Sequence, residues 1–483
     1  MLILYRLKDM LSAVRQAREW ACEEFGDIDL GHGSRTTRLI RMATEVALRP
    51  SGKVSEVFAT PAEAEGAYRW LENPAVQVAD LVNGVGRACA VRCATHAFVY
   101  VPVDGSSLSL VDVGRTKDFG PLGTRQNAGR GVKVLGAIAV SPEGVSLGVT
   151  ALEWWSRPLR KGPKKPNASR PTEEKETQRW LDAVTHTCER FAECAPQTRC
   201  WFQLDREADS WPVLHHLAAT PHWFTVRASR NRRLATSTPG KPKYLRKQLS
   251  RAPVMGELKI HIEPGHGRQA RAARLVLRAM TVRLELRDPW SKKCRPLSVQ
   301  AVWVHERGTT PRGEKPLDWL LLTNHAVDTT EDASLVVRGY CQRWRIEEFH
   351  KTWKSGACNV EDSQLRATAH VTKWATLLAA VAIRIERLKF LARTNPDLAA
   401  SDELTSYEIH ALVLWKRKAK KRTEPMPADC PTMGEAVLWI AQMGGYTGKS
   451  SGGPPGAITI GRGLERLRQR AEALEDLELS KNN

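Results

Sequence analysis

Three acids and a row of cations in this chain are of the types that act on phosphorus. The stretch YCQRWRIEEFHKTWK, Tyr340 to Lys354, has neither Pro nor Gly and predicts one continuous helix. At about 100° per residue, Tyr340, Arg343, Glu347 and Lys354 fall at roughly 0°, 300°, 340° and 320°, within a stripe about 60° wide. Glu347 is therefore an acid flanked by two cations and a phenol, while Glu348 points about 100° away. Such a stripe suits a metal-dependent site on a phosphodiester, although ordinary ion pairs on a solvated face share its spacing. Two more acids close apolar runs: Asp104 ends AFVYVPVD and Asp205 ends CWFQLD. A single Asp after a strand commonly serves a turn or a helix cap. Two of them, with Glu347 on a later helix, form a set that can meet above one sheet. Clustered carboxylates repel unless cations stand between them, and hard divalent ions with oxygen ligands, Mg²⁺ or Mn²⁺, fit. Two such ions about 3.5–4 Å apart would serve an in-line displacement at phosphorus, with Arg343 and Lys354 holding phosphates.

The elements that must place these residues can be read in order. Residues 12 to about 95 are helical and polar, with Arg35, Arg38 and Arg41 at i, i+3, i+6 on a helix from about Ser34 to Leu48, Ser34 being its expected N-cap. A second helix lies between Pro61 and Pro74. Arginines on a short capped helix suit DNA phosphates or base edges, or a plain solvated face. From Ala97 the pattern becomes strand-like: AFVYVPVD ending at Asp104, then VKVLGAIAV and VSLGVTALEWW, with basic loops carrying Arg115, Lys117, Arg125, Arg130 and Lys133. A Pro- and Lys-rich connector, Ser156 to Arg170, leads to a helix from about Thr172 to Cys194. The strand CWFQLD, the helix READSWPVLHHLAA and the strand HWFTVRAS follow. These runs predict an α/β core with a mixed sheet flanked by helices. Residues 230 to 318 are basic, turn-rich and then alternating, and are expected to form a β-rich insertion, an inserted, mostly β subdomain. WLLLTN returns to the core as a strand before the Tyr340 helix. A helix near Thr368 to Leu391, the cluster KRKAKKR and a helical tail around GGYTGKSSGGPPG close the chain. The Gly-Lys-Ser of that loop lacks the spacing and the leading strand of a phosphate loop.

The chain has 483 residues, with 73 Lys and Arg against 53 Asp and Glu, a formal charge of +20. An excess of that size calls for an anionic partner, with nucleic acid the default. No apolar run reaches the eighteen or so residues of a spanning helix. The opening MLILYRLKDML interrupts any leader-like run with Arg6 and Lys8, which argues against export. Ten scattered cysteines without finger spacing read as reduced thiols in a cytoplasmic, nucleoid-associated protein, not as zinc ligands.

The four residues Tyr340, Arg343, Glu347 and Lys354, spaced Y-x2-R-x3-E-x6-K, together with LDREAD around Asp205 and VDGSSLSL around Asp104, resemble the signature of the IS-four family of DDE transposases. EGAYRWLENP, EWWSRP, LDWLLLTN and IAQMGGY extend the similarity over about Glu19 to Leu467. The resemblance implies an RNase H-like catalytic core over 96–393, a helical DNA-binding domain over 1–95 and a helical dimerisation region over 394–483. It implies that Asp104, Asp205 and Glu347 bind two Mg²⁺, with Mn²⁺ as substitute. Tyr340, Arg343 and Lys354 would hold phosphates near the cut, Arg227 would contact strained DNA, Trp319 would stack on a flipped base, and Arg35 and Arg38 would help read the terminal inverted repeats. The implied activity is cut-and-paste transposition through a hairpin intermediate, on double-stranded end and target DNA, by a homodimer with no membrane involvement. A DNA-binding regulator that no longer cuts is the alternative, and a metal nuclease on the same core or a nonspecific packaging protein would share the charge. Here Gly105 and Ser106 follow the first Asp where the family has Thr-Thr, LGHGSR stands for LGDxRR, and Met10 is a second possible start.

Overall fold

The apolar run of Phe98 to Val103 has no polar alternation, as expected of a strand buried on both faces of a sheet. That sheet is the centre of the protein. The computed structural model describes residues 13–123, 129–158, 166–235, 243–262, 269–448 and 454–482. The opening MLILYRLKDM with Met10, Arg125, much of the Ser156–Arg170 connector, part of Asn231–Arg251 and the middle of the GGYTGKSSGGPPG loop lie outside the described residues.

Among the described residues four helices of twelve residues or more come first, α1 (Ala13–Phe25), α2 (Gly33–Leu48), α3 (Pro61–Glu72) and α4 (Val78–Cys93), with the single turn Val54–Val57 between α2 and α3. The N-cap of α2 is His32, not the expected Ser34. Gly33 admits one more residue to the helix, and His32 Nδ1 accepts from the Ser34 N–H at 3.2 Å. The core strands are β1 (Phe98–Ser109), β2 (Arg130–Val140) and β3 (Ser146–Trp155), then α5 (Gln178–Cys194), β4 (Arg199–Leu204), α6 (Trp211–Ala218) and β5 (Trp223–Arg227). β6 (Gly256–Ile262), β7 (Arg271–Arg287), β8 (Cys294–Arg307) and β9 (Asp318–Thr323) follow. The remaining helices used below are α7 (Thr330–Cys341), α8 (Trp344–Lys354), α9 (Thr368–Thr394), α10 (Ser406–Ala419), α11 (Met433–Met443) and α12 (Ala457–Asn482).

Among the described residues twelve strands join in one sheet, whose central order is β2-β1-β4-β5-β9-β8-β7, with β3 on β2 and β6 on β7. β1, β4 and β5 are parallel and their neighbours antiparallel. The strands of the 230–318 stretch do not form a separate sheet. β8 pairs with β9 from Gln300 to His305, so they prolong the core sheet. β1 does not stop at Asp104 but runs five residues further, because β2 continues to pair with it as far as Ser109.

Alternation along each strand divides the core in two. Val99, Val101 and Val103 of β1, with Phe202 and Leu204 of β4, pack under α5 and α6. Tyr100 and Trp201 turn to the other face, where α7, α8 and α9 lie. α9 is buried at every position from Val371 to Ile383, as a helix apolar all round must be. It is tied to the N-terminal helices through Trp374 Nε1, which donates to the Ser51 and Gly52 carbonyls. Among the described residues no helix is long and apolar enough to cross a membrane.

The expected single helix over Tyr340–Lys354 is broken into α7 and α8 at Gln342–Arg343. There the bonds tighten to i→i−3: Arg343 N to Tyr340 O at 3.1 Å and Arg345 N to Gln342 O at 3.0 Å. No Pro or Gly causes this. The bend is held from outside, by Tyr340 packing on Trp319 of β9 and by Arg343 reaching to Asp104 of β1. α8 is anchored by Ile346, Phe349 and Trp353 at helical spacing, all fully buried. Each contributes roughly 1.5–3 kcal/mol of burial.

Candidate active site

Register brings the two aspartates together. β1 and β4 pair as far as Val103 with Leu204, and β4 and β5 as far as Leu204 with Val226. The next residues on the three parallel strands are Asp104, Asp205 and Arg227, one row at the carboxyl ends. Strand alternation turns all three to the face that carries α7 and α8. Asp104 accepts from the Gly105 N–H at 2.9 Å. Asp205 accepts from the Glu207 N–H at 2.7 Å, capping the short turn Arg206–Ala208, so it serves as a cap as well as a row member.

Glu347 reaches this row from above. Arg343 links it to β1: Nη2 lies 2.5 Å from Glu347 Oε1 and Nη1 3.4 Å from Asp104 Oδ2. α8 comes close to Gly136, the β2 partner of Asp104, leaving room there for little more than a methyl group. A Cβ there would stand 3.4 Å from His350 Nε2 and 3.7 Å from Ile346 Cδ1. Burial pushes the Asp104 carboxyl up to about 7; Arg343 and the Gly105 N–H oppose this, while the negative charges of Asp205 and Glu347 add to it. All three acids thus lie within one electrostatic neighbourhood.

Glu348, as its angle predicts, lies elsewhere. It pairs with Arg345 at 2.6 Å, Lys389 at 3.5 Å and Arg393 at 3.7 Å, binding α8 to α9. Burial works against its charge, but these cations outweigh it and hold its carboxyl below the ordinary value. Burial raises the Tyr340 phenol even though the neighbouring Arg343 and Arg227 guanidinium groups pull it down. Trp319 is 8% exposed and meets Tyr340 edge to face, with centroids 5.3 Å apart. The face that the resemblance assigns to a flipped base is covered in this conformation. Lys354 points to Glu361 at 3.6 Å, and Glu361 in turn accepts from the Ser109 N–H at 2.7 Å. Glu361, Gly136 and His350 carried no signal in the sequence, since the contacts that bring Glu361 to Ser109 and His350 to Gly136 each span more than two hundred residues.

Arg35 and Arg38 stand apart from this site, on α2. Arg35 Nη1 donates to the Leu30 carbonyl at 2.7 Å. The Arg38 guanidinium lies over Gly66 of α3, where an added Cβ would come within 2.9 Å.

The set fits a hard divalent ion in chemistry: three carboxylates, an Asp104 lifted by burial and further by its acidic neighbours, and a guanidinium already acting as counter-ion to two of them. As they stand, no three acidic, His or Cys side chains among the described residues are grouped closely enough to hold a metal.

Three family models match the chain in succession. One described as Transposase DNA-binding covers residues 17–76, one described as Transposase DDE domain covers 185–384, and one described as Transposase Tn5 dimerisation domain covers 380–474. The DDE match contains Asp205 and Glu347, and the sheet register adds Asp104 to them. Catalysis by such a domain is metal-dependent. With DNA-binding, catalytic and dimerisation parts in this order, the protein belongs to the IS4-family, Tn5-like DDE transposases.

Proposed function

We propose that this transposase cuts and joins DNA at Asp104, Asp205 and Glu347, which hold two Mg²⁺, Mn²⁺ substituting. The observation that carries this reading is the row of Asp104 and Asp205 on adjacent parallel strands, with Glu347 lowered onto it by α8. The bound ions supply activation of the attacking oxygen and charge neutralisation at the leaving one. The protein's own residues supply placement. Arg343, with its planar fork, takes a phosphate bidentately. Arg227 and Tyr340, neighbours beside the row, grip the strand next to the cut. Lys354 holds a further phosphate near the far end of β1. Trp319 receives a flipped base once its contact with Tyr340 opens.

Residues 1–95, with Arg35 and Arg38, read the terminal inverted repeats. Residues 96–393, with the β-rich 230–318 stretch, carry the chemistry. Residues 394–483 pair two copies. The reaction is a first-strand nick, attack of the new 3′ hydroxyl on the opposite strand to close a hairpin, hydrolysis of the hairpin, and attack of the 3′ ends on target DNA. Each step exchanges or hydrolyses one phosphodiester, so one site serves all of them. The alternative of a regulator that binds without cutting has no observation in its favour. The test is Glu347→Ala: nicking of end DNA is lost while the gel shift with the same DNA is retained. Nicking retained in that variant sinks the assignment.

A further inference from the structure

Arg343 occupies an unusual position for a DNA-binding arginine: between two of the three acids. Nη2 is 2.5 Å from Glu347 and Nη1 3.4 Å from Asp104, and the side chain is only 10% exposed. Its Nε is buried with no hydrogen-bond partner among the described residues. For Asp104 and Glu347 this guanidinium does what a divalent cation would do, and it lies in the way of one. The same planar fork matches a phosphate. Carboxylates and DNA therefore compete for one side chain.

We propose that Arg343 is a placeholder cation that keeps the metal site closed until DNA arrives. Without DNA it neutralises Asp104 and Glu347 and blocks the gap between them. A DNA phosphate draws it away, and both carboxylates are left to bind a divalent ion. Linkage then requires reciprocity: DNA tightens metal binding by the same factor by which metal tightens DNA binding. Cutting power is thereby confined to protein already seated on DNA. This inference rests on the reading of Asp104 and Glu347 as metal ligands.

The test uses the full-length chain and Mn²⁺, with free ion followed by electron paramagnetic resonance. Without DNA, Arg343→Gln is expected to bind Mn²⁺ about tenfold more tightly than wild type, within the usual range of coupling between sites. A duplex taken from the repeat flanking the coding region should tighten Mn²⁺ binding to wild type by a similar factor and to Arg343→Gln hardly at all. Equal Mn²⁺ affinity of the two proteins without DNA overturns the proposal. The wild-type comparison with and without duplex needs no variant, and a flat response there overturns it as well, whatever Arg343→Gln does to folding. Adding Asp104→Ala separates the two ideas. If Mn²⁺ binding depends on Asp104 but not on Arg343 or DNA, the metal ligands stand and the placeholder fails. If the gain in Arg343→Gln survives Asp104→Ala, the ligand assignment itself fails and the placeholder with it. Loss of that gain in the double variant supports both.

Discussion

His350 sits under the candidate site on α8 with 8% of its surface exposed, and its Nε2 has no hydrogen-bond partner among the described residues. Burial pushes its imidazole down to about 3, with the Lys354 charge adding. The folded protein therefore keeps His350 neutral across the ordinary pH range, whereas the unfolded chain protonates it near 6.5. A base depressed in the folded state contributes stability that is present above pH 6.5 and is lost as pH falls toward 3. At pH 5 the unfolded state has gained about 1.5 pH units of protonation, or about 2 kcal/mol at 1.36 kcal/mol per unit. This figure depends on the unfolded value alone, provided the folded one stays well below 5. His350→Leu removes the ionisation and keeps a side chain of similar size against Phe349 and Gly136. Whatever the substitution does to packing is the same at both pH values and cancels in the difference. Urea unfolding of wild type and variant in EDTA, at pH 8 and pH 5, should show the variant gaining about 2 kcal/mol on wild type between the two. A gap that does not change with pH would falsify the burial argument, because it would mean that His350 takes up its proton while folded.

Glu348→Ala should leave nicking intact at low temperature but lower the unfolding midpoint, because Lys389 and Arg345 lose a shared partner; roughly 1–3 kcal/mol is expected from unfolding curves. Gly136→Val would push α8 off β2 at His350 and Ile346, so nicking should fall steeply while end-DNA binding in a gel shift persists, and unchanged nicking would contradict the close approach drawn here.

Much of the fold was legible from residue types. The mostly apolar, β-branched or aromatic runs at Phe98, Val132, Ser146 and Arg199 became the central strands, as short runs of that composition suit a sheet buried on both faces. That Glu347 and Glu348 face different ways also followed from spacing, and the structure gives them different partners, Arg343 for the one and Arg345, Lys389 and Arg393 for the other. The break between α7 and α8 was not legible. Gln342 and Arg343 have ordinary helical propensity, and only Trp319 and Asp104, more than twenty and two hundred residues back, bend the chain there. The end of β1 was misplaced for a similar reason: Gly105, Ser106 and Ser107 are poor strand formers, and β2 alone holds them in the ladder. The burial of Trp319 was invisible as well, since a tryptophan beside a polar turn carries no mark of which face it shows. The β-rich insertion expected over 230–318 was legible in the alternation of ARLVLRAMTVRLELRD, but alternation does not report that its strands join the core sheet.

The order of the acids along the chain has a consequence for synthesis. Asp104 and Asp205 leave the ribosome with the first half of the protein, after the arginines of α2, while Glu347 arrives about 140 residues after Asp205, on a helix that must still dock on a finished sheet. On the proposed roles, a nascent or prematurely ended chain can carry its DNA-seeking helices and two of its three acids and still lack the means to break a strand. On those roles the capacity to cut appears only once α8 has been made and docked, well after the DNA-seeking helices.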